Sequence, residues 1–124
     1  MVKLNAQDAS FLALEGPAAP MHIGFLLTFR LPDRAPVDYM QKLHDRLMRF
    51  PVEVAPFNLR LKHHERLPAM RPELEVDEAI DLEYHLRHEA LPWPGGEREL
   101  GLAISRLHSL PLERSRPLWE CTLI

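Results

Sequence analysis

A chain of 124 residues has room for one domain and one modest core. Its 46% hydrophobic and 27% charged content is that of a globular protein and excludes wholesale disorder. The net charge of -3, spread along the chain, excludes bulk attraction to nucleic acid or an anionic membrane, and one cysteine, Cys121, excludes an internal disulfide and a cysteine-rich zinc site.

Asn5 is placed as an N-cap, with Asp8 three residues on and Leu4 and Ala9 as a weak hydrophobic staple. Ala6 to Glu15 then reads as a short helix presenting Phe11, Leu12 and Leu14, stopped by Gly16-Pro17. Met21 to Leu31 gives the clearest strand signal. Ile23, Phe25, Leu27, Phe29 and Leu31 alternate on one face, and His22, Gly24, Leu26, Thr28 and Arg30 on the other.

Pro36 suits the first position of a helix running to about Phe50, with Val37, Met40, Leu43, Leu47 and Phe50 as its apolar stripe. Phe57, Leu59 and Leu61 alternate again and predict a second strand to about His64. Leu82 to Leu91 fits either a strand or a short helix, and periodicity does not decide between them. After Gly95-Gly96, Glu97 to Ser109 reads as a helix with Leu100, Ala103, Ile104 and Leu107 inward. Pro117 to Ile124 predicts a closing strand on which Trp119, Cys121 and Leu123 alternate. Twelve prolines fall between these short elements and punctuate them. The order points to α+β, a mixed-sheet two-layer α/β sandwich, rather than a bundle. No run approaches the ~20 apolar residues of a membrane span. Residues 1–5 lack the order of a secretory signal, so a cytoplasmic location is expected.

Several blocks carry a family likeness. Leu4 to Leu12, then Glu15, Pro17 and Pro20-Met21-His22-Ile23-Gly24, form a capped helix, a proline turn and a Met-His-Ile-Gly segment. Leu82-Glu83-Tyr84-His85-Leu86-Arg87-His88, Leu91-Pro92, Pro94-Gly95-Gly96, Leu107-His108-Ser109 and Pro117-Leu118-Trp119-Glu120 follow in order. Together they resemble the N-terminal segment of bacterial wax ester synthase/diacylglycerol acyltransferases. The stretch Glu65 to Ala79 is the least family-like and carries nothing over.

The resemblance implies an incomplete N-terminal half of a chloramphenicol acetyltransferase-like, coenzyme A-dependent acyltransferase fold. Residues 1–124 would be a partial domain, truncated before the family's His-His-x-x-x-Asp-Gly motif, whose second histidine is general base on the acceptor hydroxyl. It also implies acyl-CoA as co-substrate, a long-chain alcohol or diacylglycerol as acceptor, no bound cofactor, and peripheral association of the intact enzyme with membrane or lipid inclusions. His63-His64 does not replace the motif, because Glu65-Arg66-Leu67-Pro68-Ala69 follows where Asp-Gly is required. This chain is therefore expected to lack catalytic residues and to be inactive alone.

Trp119, His22 and Gly24 are the candidate substrate-binding residues: Trp119 as a tunnel-lining aromatic, His22 as a polar group beside a glycine that permits close backbone approach. Arg114 and Arg116 are weaker candidates for a coenzyme A phosphate. His85 and His88 suit a metal only on a helix, and no third ligand completes the set. The alternative function is a non-enzymatic interaction or dimerisation module, pairing its last strand with itself or with a C-terminal half.

Overall fold

The computed structural model describes residues 2–67 and 72–124. The chain opens with β1 (Val2–Lys3) and α1 (Ala6–Leu14). Asn5 caps α1 as its sequence requires, its Oδ1 accepting from the Asp8 amide at 2.8 Å. The helix stops at Glu15, ahead of a tight turn in which Gly16 and Ala19 bond each other.

The segment 21–31 is where the expectation fails. It forms no ladder with any described strand, and from residue 23 onward its side chains stand in solvent: Ile23 is 75% exposed, Phe25 87% and Phe29 85%. Alternation states that one face needs cover, but a strand also needs a neighbour for its amides, and none among the described residues pairs with this one.

Helix α2 is Tyr39–Leu47, shorter than the pattern predicts. Pro36 falls in the preceding turn, where its carbonyl accepts from the Tyr39 amide. Val37 and Phe50 lie outside the helix and are exposed, so the working stripe is Met40, Leu43 and Leu47, each half-buried. This face packs on the strand at Leu86–His88.

Strand β2 (Leu59–Lys62) follows, with Phe57 in the turn before it and His63 and His64 in the turn after. His63 adopts a left-handed conformation (φ 54°), and His64–Arg66 make one 3-10 turn. β3 (Glu73–Val76) lies within the stretch that sequence reasoning left unassigned; residues 68–71 of that stretch are outside the described set. It is nonetheless the centre of an antiparallel sheet ordered β1-β3-β2, in the register Leu61↔Leu74 and Val2↔Leu74. Leu61, on the covered face, is 2% exposed.

The ambiguous segment resolves as both alternatives. Leu82–His85 is one helical turn, α3, and Leu86–His88 is strand β4. Asp81 ends the ambiguity by capping the turn, its Oδ1 accepting from the Tyr84 amide at 3.2 Å. α4 (Glu97–Ser109) has the predicted bounds; Glu99 accepts from the Gly96 amide at 2.9 Å, and Ala103 is buried. β5 (Cys121–Leu123) runs parallel to β4, in register Leu86↔Cys121. The β4-α4-β5 order is the crossover that parallel pairing demands.

The two sheets meet through an isolated bridge between Arg60 and Pro117. Apolar burial is thin: among the described residues the buried hydrophobic core is Leu61, Leu86 and Ala103, with Pro72 and Pro117 also buried. The chain exposes 9579 Å². A compact protein of 14.4 kDa exposes about 6,800 Å².

Candidate functional site

The most developed polar constellation lies where the two sheets join. His85, at the end of α3, is wholly buried, and its Nδ1 lies 2.7 Å from the carbonyl oxygen of Trp119. The imidazole stacks on the Trp119 indole with centroids 4.4 Å apart and planes 22° from parallel, while Tyr84 meets it edge-on at 5.1 Å. Phe57 closes the other side of the indole, and the Phe57 carbonyl accepts from Trp119 Nε1 at 2.8 Å. A histidine next to an aromatic tyrosine is thus held against the Pro-Leu-Trp segment by both rings and backbone.

Charged groups brace this joint. Arg116 donates to Asp81 Oδ2 at 2.8 Å and lies over the Tyr84 ring, 4.2 Å from its centroid. The Tyr84 hydroxyl donates to Glu120 at 3.0 Å, and Arg87 lies 3.5 Å from the same carboxylate. The Arg116 hydrogen bond, then the Tyr84 amide, hold the Asp81 carboxyl below the usual carboxylate range. Partial burial, then the bond to Glu120, push the Tyr84 phenol up. The Ser115 amide, then its hydroxyl, keep Glu113 low.

Beside the joint opens a cleft of about 390 Å³ lined by Arg60 from β2, Asp77, Ala79 and Asp81 from the β3–α3 loop, His85, and Ser115 and Arg116 from the turn before β5. No nucleophile stands beside a base there, and the one buried imidazole has Nδ1 engaged by a backbone carbonyl.

The residues singled out from sequence do not converge. Trp119 belongs to the joint. His22 lies instead beside α4, its ring centroid 4.8 Å from that of His108. Gly24 does allow a close approach, but of His108: a Cβ there would meet His108 Cδ2 at 2.5 Å. Arg114 and Arg116 each bond within the chain. Arg114 donates to the Leu12 carbonyl at 2.8 Å, tying α1 to the turn before β5. His85 and His88 separate at the helix-to-strand switch; His88 is exposed and stacks near His44 at 5.8 Å. His63 and His64 sit in the turn after β2, with Glu65 as the nearest carboxylate to His63 Nδ1 at 3.6 Å. Sequence reasoning missed Arg60, Asp77 and Asp81 as a group because β2, a loop and α3 bring them together only in space; Asp81 alone carried a local signal, as a cap.

The comparisons bear on this geometry directly. The model of the wax ester synthase/diacylglycerol acyltransferase catalytic domain matches residues 4–124. The solved wax ester synthase/diacylglycerol acyltransferase from Marinobacter aquaeolei VT8 superposes with a TM-score of 0.89 at 44% identity, over 100% of this chain and 29% of that one. The O-acyltransferase WSD of Acinetobacter baylyi is 41% identical over 100% of this chain and 26% of its own length. A Mycobacterium tuberculosis relative bearing the diacylglycerol O-acyltransferase name is 43% identical over 98% of this chain and 24% of its own length. This chain therefore spans about a quarter of the length of these relatives. The mixed α/β arrangement expected from sequence, that of a partial coenzyme A-dependent acyltransferase fold, is the one found. On a match that runs from residue 4 to residue 124, the chain belongs to the wax ester synthase/diacylglycerol acyltransferase family.

Proposed function

We propose that this chain corresponds to a partial acyltransferase domain and contributes scaffold rather than chemistry to O-acyl transfer. In the intact reaction an acyl group passes from acyl-CoA to the hydroxyl of a long-chain alcohol or diacylglycerol, and a histidine base is needed to take the hydroxyl proton. One observation carries the reading: the family match covers residues 4–124, yet the 124 residues hold a single His-His pair, and that pair lacks the Asp-Gly which should follow. In this reading Trp119 forms part of the acyl passage, with His22 and Gly24 on a second, polar wall. The location that suits such an enzyme is cytoplasmic, with peripheral contact to lipid.

The test is thioester release from a long-chain acyl-CoA with a long-chain alcohol as acceptor. The purified chain is expected to give the rate of a blank. Turnover well above it overturns the reading.

A second reading, association with another polypeptide, is favoured by the uncovered apolar segment 23–31. Sedimentation separates it from the first: a discrete, stable dimer supports a module, and monomer or unordered aggregate does not.

A further inference from the structure

The segment between Pro20 and Pro32 is held at both ends and bare in the middle. At its start the His22 ring lies beside His108, with centroids 4.8 Å apart. At its far end the Ala35 amide donates to the Pro32 carbonyl at 3.1 Å and closes the next turn. Between these anchors residues 23–31 make no turn or bend, contain no proline, and form no backbone hydrogen bond among the described residues. Side chains along such a stretch alternate. Ile23, Phe25, Leu27, Phe29 and Leu31 make up one face, with no polar atom in any side chain and each more than half exposed. Thr28 and Arg30 stand on the other face, with Gly24 and Leu26.

This pattern selects its cover. A lipid surface does not suit it, because hydrocarbon satisfies no backbone group and those of residues 23–31 are unpaired. A second copy does. Packing the apolar face against the same face of another copy leaves the amides at the strand edges, and Arg30 behind them, in water. A twofold axis at Leu27 sets Leu27 on Leu27, Phe25 on Phe29 and Ile23 on Leu31, so large apolar groups meet their like and no charge meets another. The area is sufficient. The exposed 9579 Å² exceeds the surface of a compact monomer of this mass by about 2,800 Å². A standard interface needs about 800 Å² from each partner.

We propose that two copies of this chain associate face to face through Ile23, Phe25, Leu27, Phe29 and Leu31, about a twofold axis at Leu27. The proposal rests on the association reading above and names its partner and its face.

The experiment is sedimentation equilibrium of the full chain over about a hundredfold range of concentration. A reversible dimer is expected. Leu27→Asp, which sets two carboxylates against each other in an apolar contact, should weaken it at least about a hundredfold. Leu26→Asp places the same charge one residue away on the water face and should weaken it less than about threefold. Far-ultraviolet circular dichroism should be unchanged in both variants, since neither side chain is buried. In an equal mixture of isotope-labelled and unlabelled chain, filtered NMR should show contacts between the Phe25 ring of one copy and the Phe29 ring of the other. A dimer that survives Leu27→Asp, or that Leu26→Asp weakens as much, overturns this proposal and leaves the association reading standing. A monomer throughout the range overturns both. Capture of that monomer by phosphatidylcholine vesicles, lost in Leu27→Asp, assigns the face to lipid instead.

Discussion

Replacing Trp119 tests the joint that holds the two sheets together. Trp119→Ala keeps the backbone carbonyl that accepts from His85 but removes the stacked ring at 4.4 Å, the edge contact with Phe57 at 5.8 Å and the indole hydrogen bond at 2.8 Å. A fully buried tryptophan costs about 3–5 kcal/mol on truncation. Trp119 is half-buried, so the packing loss is about 2 kcal/mol, and the hydrogen bond adds about 1 kcal/mol. The expected total is about 3 kcal/mol. Trp119→Phe retains a ring against His85 and should cost about 1 kcal/mol, close to the hydrogen bond alone. Urea unfolding followed by far-ultraviolet circular dichroism measures both, with an unchanged slope showing that the same surface is exposed. If Trp119→Ala shifts the midpoint no more than Trp119→Phe does, the stacking argument fails.

Three further outcomes are expected. Asp81 and Glu113 bind protons more weakly folded than unfolded, so their stabilising contribution is fully present above pH ~5 and drains away as pH falls through the depressed folded values. Acid unfolding monitored by fluorescence should therefore move to higher pH in Asp81→Asn, which loses the ion pair from the outset. Arg114→Ala removes the bond to the Leu12 carbonyl; it should cost about 1–2 kcal/mol and speed amide exchange in α1 more than in α4, and uniform exchange across both helices would contradict the tie. Gly24→Ala drives a methyl group into the side chain of His108. That ring lies on an exposed helix face and can turn aside, so the variant should lose under ~1 kcal/mol while the His22 and His108 resonances move together; unmoved resonances would place the two rings apart.

What was legible in the sequence follows from where the stabilising bonds close. α1 and α4 have caps within three residues of their starts, Asn5 with Asp8 and Gly96 with Glu99, so their bounds emerge from local chemistry. The segment 21–31 shows the converse. Its alternation is as clear as any in the chain, yet pairing is a property of two segments, and the pattern of one does not supply the other. β3 was missed for a related reason: Glu73-Leu74-Glu75-Val76 is short and half charged, and it earns its central place through Leu74 opposite Leu61 and through the Arg60–Glu75 ion pair at 3.0 Å. Leu82 to Leu91 was ambiguous because both answers are true in succession. The cleft was not legible at all, since β2, a loop, one helical turn and the stretch before β5 contribute to it from across 56 positions of separation, Arg60 to Arg116.

The β4–β5 ladder has a kinetic meaning. Leu86 and Cys121 are 35 positions apart along the chain, whereas Leu61 and Leu74 are 13 apart. Closing the larger loop loses more chain entropy before any contact repays it. The antiparallel pair is therefore expected to close before the parallel pair, which gains from α4 shortening the distance. The Trp119 indole contacts both His85, beside the parallel pair, and Phe57, beside the antiparallel one, so in a Trp93→Phe background its emission should report the moment at which the two pairs join.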